Sequence, residues 1–125
     1  MTKEIYLKSP DGVIKPAVYA LQEWLSFGVY RSEDQIRDAL DSFLNNLTVS
    51  LKNNGCKLIG HIKGMLDAGE NGHLFFSVTS FEQRAQFKGS LSGKCEKINL
   101  TLNVIVFGVD EETIKELVLN GLKHI

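Results

Sequence analysis

The stretch Ile98–Phe107 reads Ile-Asn-Leu-Thr-Leu-Asn-Val-Ile-Val-Phe, alternating apolar and polar residues as far as Val104 and then turning apolar throughout. A period of two sends successive side chains to opposite faces of a strand, one buried and one wetter. The apolar end implies a deeper position, covered on both faces or at an interface. Gly108-Val109-Asp110 breaks the strand. Asp110 then caps a helix whose first turn carries Glu111 and Glu112, where the helix dipole favours negative charge. Ile114, Leu117, Val118, Gly121 and Leu122 form its buried face.

Upstream, Glu4–Lys8 alternates weakly, as a short edge strand or an arm, and Ser9-Pro10-Asp11-Gly12 is a turn signal. Pro16 suits the first position of a helix, and the spacing predicts a helix over Ala17–Phe27 with Ala17, Leu21, Trp24 and Leu25 near one face, stopped by Gly28. Ser32 with Gln35 makes a capping box that opens the next helix. Ile36, Leu40, Phe43, Leu44, Leu47 and Leu51 are its apolar stripe. The weak helix formers Thr48 and Val49 predict fraying before Asn53-Asn54-Gly55.

From Cys56 the period changes to two. Cys56, Leu58, Gly60, Ile62, Gly64 and Leu66 share the predicted core face, and Lys57, Ile59, His61, Lys63, Met65 and Asp67 share the other. A strand glycine marks a bend or a close approach, so a helix carrying Trp24 is expected tight against Gly60 and Gly64. Asn71-Gly72 resembles a two-residue hairpin turn, yet Leu66 must share the core face with Leu74, Phe76 and Val78. That parity requires an odd loop or a bulge, and burial outweighs the dipeptide because a one-residue slip would expose every core side chain. Gly72–Ser80 is the second strand. Arg84–Leu91 is the third, with Ala85, Phe87, Gly89 and Leu91 inward, and Ser92-Gly93-Lys94 turns into the long fourth.

Two helices, four strands and one helix indicate an α+β fold: a four-stranded, mainly antiparallel sheet with helices packed on one face. The chain of 125 residues is read as a single α+β domain, 1–125, with an N-terminal arm and helix in 1–31. The uncovered face would carry Ile59, His61, Lys63, Met65, Phe75, Ser77, Thr79, Gln86, Lys88, Asn99, Thr101 and Asn103. His61, Lys63, Phe75, Lys88 and Asn103 of this face, with Ile105 next along the same side, are the candidate binding residues.

Composition narrows the function classes. Hydrophobic content of 43% and charged content of 23% are those of a soluble globular chain. A net charge of −1 argues against a strongly electrostatic nucleic-acid binder. Phe75 and Phe107 could stack bases, but the aromatic signature of sheet-type RNA binders is absent. Cys56 and Cys95 read as reduced, intracellular thiols. With no long apolar run and no secretory signal, no membrane contact and a cytoplasmic location are expected.

The segment Val104-Ile-Val-Phe-Gly-Val-Asp-Glu-Glu-Thr-Ile-Lys-Glu-Leu117 is similar to the end of the C-terminal domain of the CobW-type GTPases, where an apolar strand leads through an acidic turn into the last helix. Leu58-Ile-Gly-His-Ile-Lys-Gly64 looks like that domain's first strand, and Leu74–Val78 stands where its second would be. In element order the resemblance covers Ile36–Leu122, so that 32–125 reads as a stand-alone CobW C-terminal-like unit. Family members of this kind are metal chaperones that couple GTP hydrolysis to metal delivery, with their chemistry in an N-terminal GTPase domain. No counterpart of that domain stands here. Gly89-Ser-Leu-Ser-Gly-Lys-Cys95 is one residue short of a phosphate-binding loop, and Cys95 replaces the hydroxyl that would hold magnesium. The resemblance therefore implies an accessory or recognition domain, associated with metallochaperone work through a separate GTPase.

Cys56, His61, His73 and Cys95 are soft potential metal ligands. They lack Cys-x-x-Cys or His-x-x-x-His spacing, and Cys56 and His61 have opposite parity, so no metal ligand, cofactor or catalytic residue is assigned. No His and carboxylate can be paired with either thiol as a nucleophile. A non-enzymatic interaction domain is the reading that results, with a protein partner or a second copy on the open sheet face. The alternative is a small ligand-binding protein or enzyme using His61 and Lys63, or an RNA-binding sheet module.

Overall fold

The computed structural model describes residues 7–9 and 12–125. Strands β1 (Leu7–Ser9) and β2 (Gly12–Ile14) pair as a separate antiparallel ribbon. The N-terminal part of the expected first strand and the centre of the expected turn lie outside the described residues. The main sheet comprises β3 (Pro16–Arg31), β4 (Leu58–Asp67), β5 (Gly72–Val78), β6 (Gln86–Leu91) and β7 (Cys95–Phe107), and its helices are α1 (Glu33–Asn53) and α2 (Glu111–Leu122). The strand order is β3-β7-β4-β5-β6, antiparallel throughout. The fold is α+β as the pattern indicates, with five strands in the sheet where four are expected.

The fifth strand comes from the largest departure. Residues 17–27, expected as a helix, are extended and pair with β7 from Pro16↔Phe107 to Ser26↔Lys97. Their sequence fits both periods. Ala17, Leu21, Trp24 and Leu25 fall near one face of a helix, but Ala17, Tyr19, Leu21, Leu25 and Phe27 alternate, and these are the side chains packed on the core. Val18, Tyr19, Trp24, Phe27, Val29 and Tyr30 also supply the β-branched and aromatic residues that suit a pleated surface. Pro16 opens this edge strand, a position where its missing N–H is tolerated.

Helix α1 opens as the capping box requires: the Gln35 N–H donates to Ser32 Oγ (3.3 Å) and the Ser32 N–H donates to Gln35 Oε1 (2.9 Å). It runs unbroken through Thr48 and Val49. Burial of Leu47, Thr48 and Leu51 holds that last turn. Each large apolar side chain contributes about 1.5–3 kcal/mol, against a few tenths of a kcal/mol for a weak helix former. The helix ends in a Schellman motif, with Gly55 at φ +98°, Gly55 N–H donating to Lys52 O (3.1 Å) and Cys56 N–H to Leu51 O (3.0 Å). Lys57 N–H then donates to Phe107 O (2.7 Å), and a Cβ on Gly108 would meet Gly55 O at 2.7 Å. The exit of α1 is thus seated directly on the turn that leads into α2.

Both helices lie on one face. Glu33 Oε1 accepts from Leu91 N–H (2.6 Å), Arg84 pairs with Asp41, and Arg37 stands 5.5 Å from the Phe87 ring centroid, which tie α1 over the β5–β6 side. Asp110 Oδ1 accepts from Thr113 N–H (2.8 Å) to cap α2, which buries Ile114 and Val118. α2 packs beside α1, where the Phe43 ring fills the space a Cβ at Gly121 would take. Beneath the helices lie Ile62, Leu66, Leu74, Phe76, Val78, Ile98, Leu100, Leu102, Val104 and Val106. Leu66 pairs with Leu74 across a connection containing a short 3-10 turn, Gly69–Asn71, so the parity argument holds over the Asn71-Gly72 dipeptide.

Three local expectations are corrected. A bulge between Ile59 and His61 slips the β4–β7 register by a residue. Leu58 is therefore 39% exposed, not core, and Ile59 is 3% exposed, not on the open face. The glycines of β4 are approached by β7 and not by a helix: a Cβ on Gly60 would sit 2.9 Å from Ile105 O, and one on Gly64 would overlap Thr101 O and the Phe76 ring. Trp24 lies elsewhere, 59% exposed. Phe107 is 1% exposed and unavailable for stacking.

Gly64→Ala should destabilise the protein by about 3 kcal/mol, because β7 backbone must retreat. Ser32→Ala should cost about 1 kcal/mol, the usual worth of a capping hydroxyl. Urea unfolding midpoints measure both, and a Gly64→Ala cost no larger than that of Ser32→Ala would show that β4 and β7 are not so closely apposed.

Candidate functional site: the uncovered sheet face

Opposite the helices, the register lays side chains out in rows. Lys63 lies between Asn103 and Ser77, and the row runs on to Ala20 at one end and Gln86 at the other. Met65 lies between Thr101 and Phe75, with Gln22 and Lys88 beyond. Asp67 lies between Asn99 and His73, with Trp24 and Ser90 beyond. His61 pairs with Ile105, which pairs in turn with Val18. All six candidate residues, His61, Lys63, Phe75, Lys88, Asn103 and Ile105, thus fall on one face. Lys63, Phe75 and Lys88 are exposed, and His61, Asn103 and Ile105 are half-buried.

An open hollow of about 670 Å³ occupies the middle of this face. Lys63, Met65, Phe75, Ser77, Gln86, Lys88, Thr101 and Asn103 line it. Met65 and Phe75 are apolar parts of its lining, and the two lysines come from different strands. His61 is not part of the lining, so the hollow does not bring His61 and Lys63 together as a catalytic pair.

The charge on this face is one-sided. Among the described residues, Lys63, Lys88 and Lys97 share the face with a single carboxylate, Asp67, whose Oδ1 is 3.3 Å from His73 Nε2. Lys97 is placed 4.9 Å from the Trp24 ring centroid, and the His73 ring stacks on Phe75 with centroids 6.4 Å apart. Desolvation, assisted by the Lys63 charge, holds His61 below the ordinary histidine value of 6.5. Burial pushes the Cys56 thiol up, which makes it a poor nucleophile. Cys56 and Cys95 are free and buried, and among the described residues no group of three or more His, Cys, Asp or Glu could hold a metal ion.

The outer strand β3 contributes Val18, Ala20, Gln22 and Trp24 to the face, which the helical reading of residues 17–27 conceals. The alternation of Ala17, Tyr19 and Leu21 against Val18, Ala20 and Gln22 is the signal that finds them. Gln22 Nε2 donates to Asn99 Oδ1 (3.1 Å), tying this extension to β7.

A histidine with a lowered folded pKa stabilises the fold fully above its unfolded value and loses that contribution as pH falls through 6.5 towards the folded value. His61 should therefore titrate below 6.5 by proton NMR, and Lys63→Gln should raise the midpoint. A midpoint that Lys63→Gln leaves unmoved would remove Lys63 as a cause.

No family model matches the chain, and no curated protein matches it. Among solved structures it is similar to the crystal structure of Zn(II)-bound YjiA GTPase from E. coli, at 19% identity and a TM-score of 0.43, over 82% of this chain and 29% of that one. A Zn(II)-bound triple mutant of YjiA gives 19% identity and a TM-score of 0.42 over the same shares. The chain thus spans less than a third of the YjiA length. Among the described residues, no helix is long and apolar enough to cross a membrane.

Proposed function

We propose that this chain is a non-enzymatic binding module whose uncovered sheet face docks a protein partner bearing acidic and apolar side chains. The observation that carries the reading is the composition of that face. Among the described residues three lysines meet one carboxylate, and Phe75 is left 49% exposed beside them. An exposed aromatic with Lys88 paired beside it and Lys63 in the same hollow suits a surface of opposite sign with an apolar anchor. The resemblance of Val104–Leu117 to the close of the CobW C-terminal domain supports the finer step: the partner is a separate CobW-type GTPase, and the module assists its handling of a metal cofactor.

Titrating the labelled protein with a purified CobW-type GTPase from the same genome tests both steps. Phe75→Asp should weaken binding by roughly thirtyfold, the scale of a lost interface anchor. Lys63→Glu should weaken it further at low salt than at high salt. Equal affinity for both variants and the native chain would overturn the face, and no binding to the GTPase would overturn the partner.

The hollow between Lys63 and Lys88 favours a second reading, a small anionic ligand. In that case Lys88→Gln would abolish binding of the small molecule while leaving a protein partner's affinity within about threefold, as for a rim charge.

A further inference from the structure

The two edges of the sheet are protected differently. β6 is six residues long, carries Lys88, is turned by Gly89 at φ +103°, and has its Leu91 N–H taken by Glu33. These are the devices that keep a sheet edge from pairing with another chain. β3 has none of them between Ala17 and Ser26. Over that length it runs beside β7 without a bulge, with no Lys, no Arg, no proline and Glu23 as its one charge. Among the described residues, no strand pairs with the backbone N–H and C=O groups of its outer side.

We propose that β3 pairs edge to edge with the β3 of a second copy of this chain, antiparallel about a two-fold axis at Leu21, fusing the two sheets into one. The occupant follows from self-complementarity. A two-fold axis normal to the sheet keeps like faces together, so residues of equal parity oppose one another. With Leu21 on the axis, Val18 opposes Trp24 of the second copy, Tyr19 opposes its Glu23, and Ala20 opposes its Gln22. A β-branched side chain meets an aromatic one, a phenol meets a carboxylate, and no like charges are opposed. Moving the axis to Glu23 sets two carboxylates against each other, and moving it to Tyr19 sets Pro16, which has no N–H, against Gln22. The Leu21 register also covers Val18 and Trp24, 49% and 59% exposed in the single chain. The uncovered faces of the two copies become continuous.

Sedimentation equilibrium should give twice the 13.9 kDa chain mass in the micromolar range. Ala20→Lys combined with Gln22→Lys places lysines directly opposite one another twice across the seam, and should halve that mass with the circular dichroism unchanged. Phe75→Asp, on the face and away from the edge, should leave the doubled mass intact, which separates this contact from the partner surface. Under mild oxidation Leu21→Cys should crosslink to itself and Leu25→Cys should not, a readout that stands even if the double-lysine variant misfolds. A single-chain mass at every concentration overturns the proposal. So does a doubled mass that survives the lysines in a folded variant, or crosslinking of Leu25→Cys as fast as that of Leu21→Cys.

Discussion

The main sheet is built around β7, which is hydrogen-bonded along most of its length to β3 on one side and β4 on the other. Between Asn99 and Phe107 its backbone donors and acceptors are met from both sides. Its side chains are therefore sorted by face alone. Ile98, Leu100, Leu102, Val104 and Val106 are wholly buried under the helices. Asn99, Thr101, Asn103 and Ile105 stand on the other side and divide the space between β3 and β4. The burial of one set and the presentation of the other are a single consequence of the period-two pattern, so the uncovered face is laid out by the same register as the core behind it.

How far the sequence discloses this depends on whether the decisive partner is local. The capping box of Ser32 and Gln35, the stripe from Ile36 to Leu51 and the acidic start at Asp110 are settled within a few residues, and they are legible. So is the parity of Leu66 with Leu74, because burial of one constrains the other across a short connection. Residues 17–27 are different. Their Ala, Leu, Gln and Glu content suits a helix and their alternation suits a strand, and the choice rests on β7, some eighty positions away. The bulge at Gly60 is hidden for a related reason: it answers the approach of Ile105 O, which no window around β4 contains. All six candidate face residues share one surface because those below the bulge keep their parity and His61 remains on the open side. Ile59 and Phe107, assigned by unbroken alternation, do not.

The chemistry of the face follows from what the fold withholds as well as from what it supplies. Both thiols are buried, the lowered His61 has a lysine and no carboxylate beside it, and Asp67 is occupied by His73. Among the described residues, the exposed side chains of the face include the cationic Lys63, Lys88 and Lys97 and the aromatic Phe75 and Trp24, beside Gln22 and Gln86. In the proposed docking, long-range attraction to the lysines would speed encounter and the desolvated Phe75 ring would hold the contact.

The back-to-back seating of Gly55 and Gly108 has a mechanical meaning. Because Lys57 N–H is bonded to Phe107 O at that junction, the exit of α1 and the root of α2 are held at one point. With Glu33 bonded to Leu91 at its other end, α1 spans from the β6 edge of the sheet to the root of α2, so one helix carries the backbone link between those two places.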